Sequence, residues 1–324
     1  MSSVIRSVPV TAGLVAASVL LAGCAALGDD SSGNGRRAVA SFYPLAWVTE
    51  RVAGDAWTVE NLTQPGQEPH DLDLSIAQTA ALEQADLVVL EEGFQPAVDA
   101  AAEGTDAAVV DAAAVVDLLP ATADGHDHEH EGEEGAEAED AEAEDGEEHD
   151  HGDLDPHFWL DPLLVADFAD AVAEQLGEVD PDGAATYAEN AADLRTDLEA
   201  VDEDYTTGLA SCERTATVVS HQAFGYLSRY GLDFEPIAGL SPDAEPTAAD
   251  LAHLQELITE DGVTTVFSER LVSPKMAQTL ADDMGVTSAV LDPIEGLSDD
   301  TSGEDYLSLM RENLTALQQA NGCS

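Results

Sequence analysis

Three histidines stand out by their settings: His70 in QEPHDLDLS, His157 in LDPHFWLDP and His221 in VVSHQAFGY. Each lies where an extended stretch gives way to a helix-like pattern. In open α/β sheets, ligands collect at the carboxyl ends of strands. Asp292, in AVLDPIEG, follows a strand-like run in the same way. Neutral imidazole is a common metal ligand, and three imidazoles with one carboxylate or a water make a tetrahedral site suited to Zn2+. Taken singly, each histidine fits a turn or a satisfied core equally well; the shared topological position is what points to a metal. Glu68, Asp155 and Asp161 flank the histidines and can orient ring N–H groups, or serve as ordinary turn and helix-start carboxylates. His253, on AADLAHLQELI, has no partner motif and reads as a surface residue.

Alternating strand and helix signals position these groups and argue for an α/β architecture. In the first half, strands are expected at residues 38–42, 58–62, 87–90 and 108–111, with helices at 44–53, 75–84 and 163–176. Residues 183–209 carry apolar side chains at Tyr187, Ala191, Leu194, Leu198, Val201, Tyr205 and Leu209. That spacing of three and four predicts one long helix, a strut between two halves. The second half repeats the alternation, with strands at 215–220, 264–267 and 288–291 and helices at 221–230, 248–259, 273–284 and 305–319. Two α/β lobes result, 38–182 and 210–324, joined by the helix 183–209.

Residues 124–153 break the pattern, holding 16 acids and five histidines with no basic or large apolar side chain. Such a segment cannot bury enough surface to offset ordering entropy, so a disordered loop is expected. His126, His128, His130, His149 and His151 could capture Zn2+ there, weakly, because each site must be ordered on binding; a solvated spacer is the alternative. Across the chain, 67 acidic residues face 10 basic ones, a net charge of −57. That field repels nucleic acid and anionic lipid and attracts cations.

The first 23 residues read as an export signal: Arg6, an apolar run too short to span a membrane, then Leu21-Ala22-Gly23. LAGC closely resembles the lipobox of bacterial lipoproteins, which implies lipidation of Cys24 and anchoring to the cell membrane by several acyl chains. Residues 24–37 form a Gly/Ser-rich tether. Cys212 and Cys323 remain, and in an exported protein they pair or stay as two free thiols.

PHDLDLS, DPHFWLDP, SHQAFGYLSRYGL, VFSERLVSPK and LDPIEG together resemble the zinc- and manganese-binding lipoproteins of bacterial ABC importers. The similarity runs from ASFYPLAWV to LDPIEG. It implies two lobes, each a roughly four-stranded, mainly parallel sheet flanked by helices, joined by a rigid helix. Metal would lie in the cleft between them, held by His70 and His157 from one lobe and His221 and Asp292 from the other. Glu269, in FSERL, occupies a position where the family also has Glu and would support a ligand. Manganese-carrying relatives resemble a set with Glu at the third position; His221 there favours Zn2+ over Mn2+. The resemblance implies a monomeric carrier that delivers Zn2+ to an ABC permease, with no turnover chemistry. A zinc hydrolase is the rival reading, lacking an HExxH sequence, and a surface adhesin is another. Ordinary imidazole ligands would lose metal as pH falls through roughly 6.5.

Overall fold

The computed structural model describes residues 35–121 and 154–324. The signal peptide, Cys24, most of the tether and the His/acid segment 124–153 lie outside the described residues.

The first lobe is built from β1 (Arg36–Ala40), α1 (Tyr43–Ala53), β2 (Trp57–Asn61), α2 (Ile76–Glu83), β3 (Leu87–Leu90), α3 (Pro96–Ala102), β4 (Ala108–Asp111) and α4 (Ala112–Val115). A two-stranded antiparallel ribbon follows, β5 (Leu119–Pro120) with β6 (Leu154–Asp155), and then α5 (Pro162–Val179). The long helix α6 (Ala184–Gly208) leads to β7 (Ala216–His221), β8 (Asp233–Ala238), α7 (Ala248–Glu260), β9 (Thr265–Ser268), α8 (Lys275–Met284), β10 (Thr287–Val290) and α9 (Tyr306–Asn321).

Each lobe holds a four-stranded parallel sheet, ordered β2-β1-β3-β4 in the first and β10-β9-β7-β8 in the second. The two orders are the same when each is followed from its own first strand. The chain first runs to one side, then returns to the other, so each sheet has a switch point between its first and third strands. Fully apolar β3 (LVVL) is buried along its whole length, as expected for an inner strand with both faces covered.

Helix α6 spans about 37 Å at 1.5 Å per residue and buries the stripe expected from its sequence, Tyr187 through Tyr205. Its ends are tied to different lobes. Trp57 Nε1 donates to the Tyr187 hydroxyl (2.9 Å), which donates to Asp180 (2.6 Å), while the Tyr205 hydroxyl donates to the Met310 carbonyl of α9 (2.7 Å). One hydrophobic cluster runs from β1 and α1 through α5 and α6 to α9. The lobes therefore share a core, which restricts their relative movement.

Several details depart from the sequence reading. β1 begins at Arg36, inside the segment read as tether. Strand β8 was not anticipated, because DFEPIA carries a proline; as an edge strand it tolerates one. Residues 221–230 are not a helix following a strand: His221 is the last residue of β7, and Phe224–Tyr230 form a 3-10 segment. The short helix α3 and the β5–β6 ribbon were also unforeseen.

Cys212 and Cys323 form a disulfide closing a 111-residue separation. It pins the end of α9 to the turn after α6. Cross-linking so long a loop restricts the unfolded chain, a contribution of about 2–4 kcal/mol. Cys323→Ser is expected to lower unfolding free energy by about that amount in urea titrations, with zinc binding at 25 °C retained, because the bond lies at the far end of α9 from Tyr306.

Candidate metal centre

The three histidines converge. His70 lies on the loop after β2, His157 just after β6, and His221 at the end of β7. Their ring centroids are 5.2–5.8 Å apart. The fourth member is Glu295, on the loop after β10, and one donor atom from each of the four lies within 4.8 Å of the others. His157 Nε2 and His221 Nε2 are 3.3 Å apart. Glu295 Oε1 is 3.3 Å from His221 Nε2 and 3.5 Å from both His157 Nε2 and His70 Nε2. A tetrahedron with bonds near ~2.0–2.1 Å has edges of about 3.4 Å, so these separations match a zinc coordination shell. His70 Nε2 and Glu295 Oε1 are buried and have no hydrogen-bond partner among the described residues, which suits groups built to face an ion.

The rings are aimed from behind. Asp155 Oδ1 lies 2.7 Å from His157 Nδ1 and accepts the His157 backbone N–H at 3.0 Å, fixing that ring in a tight turn. Glu269 Oε1 lies 2.5 Å from His221 Nδ1 and also accepts from the Ser220 hydroxyl. Both rings thus present Nε2 to the cleft, the arrangement by which carboxylates set the tautomer and basicity of metal-binding histidines. Glu68 accepts the His70 backbone N–H at 3.1 Å. Asp161 serves elsewhere: it caps α5 and pairs with Arg229 across the lobes.

Asp292, expected as the fourth ligand, is engaged elsewhere. The structure places it outside the cluster, with Arg270 Nε 2.9 Å from its Oδ2 and the Ile294 N–H donating to its Oδ1 at 2.8 Å. Asn313 exchanges hydrogen bonds with both the N–H and carbonyl of Asp292. The loop then turns at Ile294, whose φ of 61° makes it the one non-glycine described residue in the left-handed region. A β-branched residue there is strained by about 1–3 kcal/mol, and the turn delivers Glu295 to the cleft. Trp159, two residues beyond His157, donates its Nε1–H to the Pro293 carbonyl at 2.7 Å and accepts the Tyr306 hydroxyl at its own carbonyl. The loop bearing Glu295 is thereby held by both lobes.

Electrostatics follow from this packing. Burial pushes the His221 imidazolium down, but Glu269 and Glu295 outweigh it and raise the ring to about 10. Burial likewise opposes charge on His157, and Asp155 and Glu295 overcome it, giving a net rise. Burial would push the Glu295 carboxyl up, yet the close approach of the His157, His221 and His70 rings holds it well below the usual range. Burial lifts Asp292 to about 6, against the opposing pull of the Ile294 N–H and Arg270. Without metal, these surroundings favour the protonated rings of His157 and His221 beside the Glu295 carboxylate.

Two lobes with parallel sheets of matching order, a long shared helix and a three-histidine, one-glutamate cluster between strand ends define an interlobe metal-binding protein. Residues 38–320 match the family ZnuA, zinc-uptake complex component A, periplasmic, and the chain belongs to that family. The high-affinity zinc uptake system protein ZnuA of Bacillus subtilis is 35% identical over 298 residues, covering 90% of this chain and 89% of that protein. The zinc-binding lipoprotein AdcA of Streptococcus pneumoniae is 35% identical over 289 residues, 87% of this chain but 55% of AdcA. The chain thus spans about half the length of the AdcA proteins it matches. Among solved structures, the Zn(II)-bound ZnuA-like domain of that AdcA superposes with a TM-score of 0.70 at 32% identity, covering 89% of this chain and 99% of the domain. The laminin-binding protein Lmb of Streptococcus agalactiae, described as having adhesin and metal transporting activity, gives a TM-score of 0.74 at 28% identity, covering 88% and 99%.

Proposed function

We propose that this chain is the extracytoplasmic zinc-binding component of an ABC importer, a monomer anchored through lipidated Cys24, which takes up Zn2+ in the interlobe cleft and hands it to the permease. The observation that carries this reading is the cluster of four donors, His70, His157, His221 and Glu295, within 4.8 Å of one another. Zinc fits three nitrogen donors and one oxygen better than manganese does, which prefers more oxygen ligands. Four protein donors also fill a tetrahedral ion's shell, whereas catalytic zinc keeps a position for water. Glu269 and Asp155 are engaged by the histidines they support. These features favour a carrier over a hydrolase. Among the described residues no helix is long and apolar enough to cross a membrane, and the lipid on Cys24 would be the anchor.

Metal content tests the reading. Protein lacking the signal peptide and Cys24, purified after growth with both metals, is expected to hold one zinc per chain by mass spectrometry of the elements. His221→Glu, which replaces a borderline nitrogen with a hard oxygen, is expected to shift the bound metal toward manganese. Absence of zinc from the unaltered protein, or a metal preference unmoved by the substitution, would count against the assignment.

A further inference from the structure

Three of the four cleft donors are sealed: His157 and His221 are 0% exposed and Glu295 is 1% exposed. The His70 side chain is 12% exposed, and it forms part of the wall of a cavity of about 280 Å³ between the lobes. Phe94 and Leu154 of the first lobe and Leu240 of the second enclose the same space. An ion reaching the cleft from this cavity meets His70 first.

Glu91 also lines the cavity, is 2% exposed, and has no hydrogen-bond partner at either carboxyl oxygen among the described residues. Its place in the fold sharpens the anomaly. Glu91 directly follows β3, the third strand of its sheet, as Glu269 directly follows β9, the corresponding strand of the other. Glu269 is used by His221 and Ser220; its counterpart has no hydrogen-bond partner among the described residues. Burial, then the neighbouring Asp111, Asp155 and Asp99, push the Glu91 carboxyl well above the usual range, which favours the neutral acid. Even so, a buried carboxyl without partners is destabilising, and such a group beside a binding site calls for a ligand.

We propose that this cavity is the vestibule through which Zn2+ enters and leaves the cleft, and that Glu91 is a transient carboxylate ligand for the ion on its way. The proposal rests on the zinc-carrier reading and adds a site to it. Zn2+ must exchange bound waters for imidazoles; as the ion arrives, the Glu91 carboxyl gives its proton to water and binds the ion through an oxygen, which divides that exchange into two smaller steps. A way-station lowers the barrier equally in both directions. It therefore speeds association and dissociation together and leaves the equilibrium constant alone.

Stopped-flow mixing of the metal-free chain with Zn2+, and of the zinc-loaded chain with a chelator, reads both rates; competition with a zinc indicator reads Kd. Glu91→Gln is expected to slow association and dissociation each by about 5- to 10-fold, with Kd within about twofold of the unaltered chain. Glu91→Asp, which keeps the carboxyl on a shorter stem, is expected to fall between the two and carries the test if the glutamine variant does not fold. Rates within about twofold of the unaltered chain in both variants would overturn the proposal while leaving the carrier reading intact. So would a weakened Kd with unchanged association, which would place Glu91 in support of the closed site instead. Failure of the unaltered chain to take up Zn2+ would sink the carrier reading, and the vestibule with it.

Discussion

Glu295→Ala is expected to weaken zinc binding by about 100-fold or more, and Asp292→Asn by about 10-fold or less. Both carboxylates lie in LDPIEG within three residues of each other, but their surroundings differ. Glu295 Oε1 stands 3.3–3.5 Å from three imidazole nitrogens and supplies the negative charge in the shell. Asp292 is turned toward Arg270 and the Ile294 N–H, where it supports the loop. Its loss loosens the turn without removing a donor, and the Asn313 and Trp159 hydrogen bonds still hold the loop. Indicator competition at fixed pH reads both affinities. The reverse order of effects would restore Asp292 as the ligand and displace Glu295.

Zinc affinity is expected to keep rising with pH well above neutrality, by about tenfold per pH unit for each proton displaced. The sign follows from the cleft. His221 holds a proton on Nε2 up to about 10, because Glu269 and Glu295 outweigh the effect of burial. Zn2+ must take that position, so each ion bound below this pH releases the proton; His157, also raised, adds to the release. Between pH 6 and 8 the apparent Kd should fall by about 100-fold or more, rather than levelling off above the 6.5 of an ordinary imidazole. Folding stability shows the complement. A folded pKa above the unfolded one stabilises the metal-free chain fully below about 6.5, and that contribution is lost as pH rises through about 10. The Tm gap between zinc-loaded and metal-free protein should therefore widen from pH 6 to pH 9. Calorimetry in buffers of different ionisation enthalpy measures the protons released; an affinity that is flat from pH 7 upward would contradict the arrangement of Glu269 and Glu295 around His221.

The sequence made the three histidines legible because each follows a strand and sits in a distinctive segment, and topology alone brings strand ends together. Asp155, two residues from His157, was legible as a support or an ordinary turn carboxylate, and Glu269 only through the family resemblance. The fourth donor was not. In LDPIEG the residue nearest the strand is Asp292, and the rule of strand ends selects it. Glu295 reaches the cleft only through the left-handed turn at Ile294, a conformation that a β-branched residue opposes locally and that tertiary hydrogen bonds impose. Proline in DFEPIA hid β8 for a similar reason: its edge position, known only from the assembled sheet, makes the residue harmless. The imidazole pKa values were beyond sequence too, because they depend on carboxylates brought from distant segments into a buried space.

Anomalous diffraction at the zinc absorption edge, from crystals of the zinc-loaded chain, bears most directly on the cleft. The expected result is one strong peak between the lobes, about 2.0–2.2 Å from Nε2 of His70, His157 and His221 and from an oxygen of Glu295. A peak bound by Asp292 with Glu295 turned away, or an ion held elsewhere while the three rings face no common centre, would contradict it.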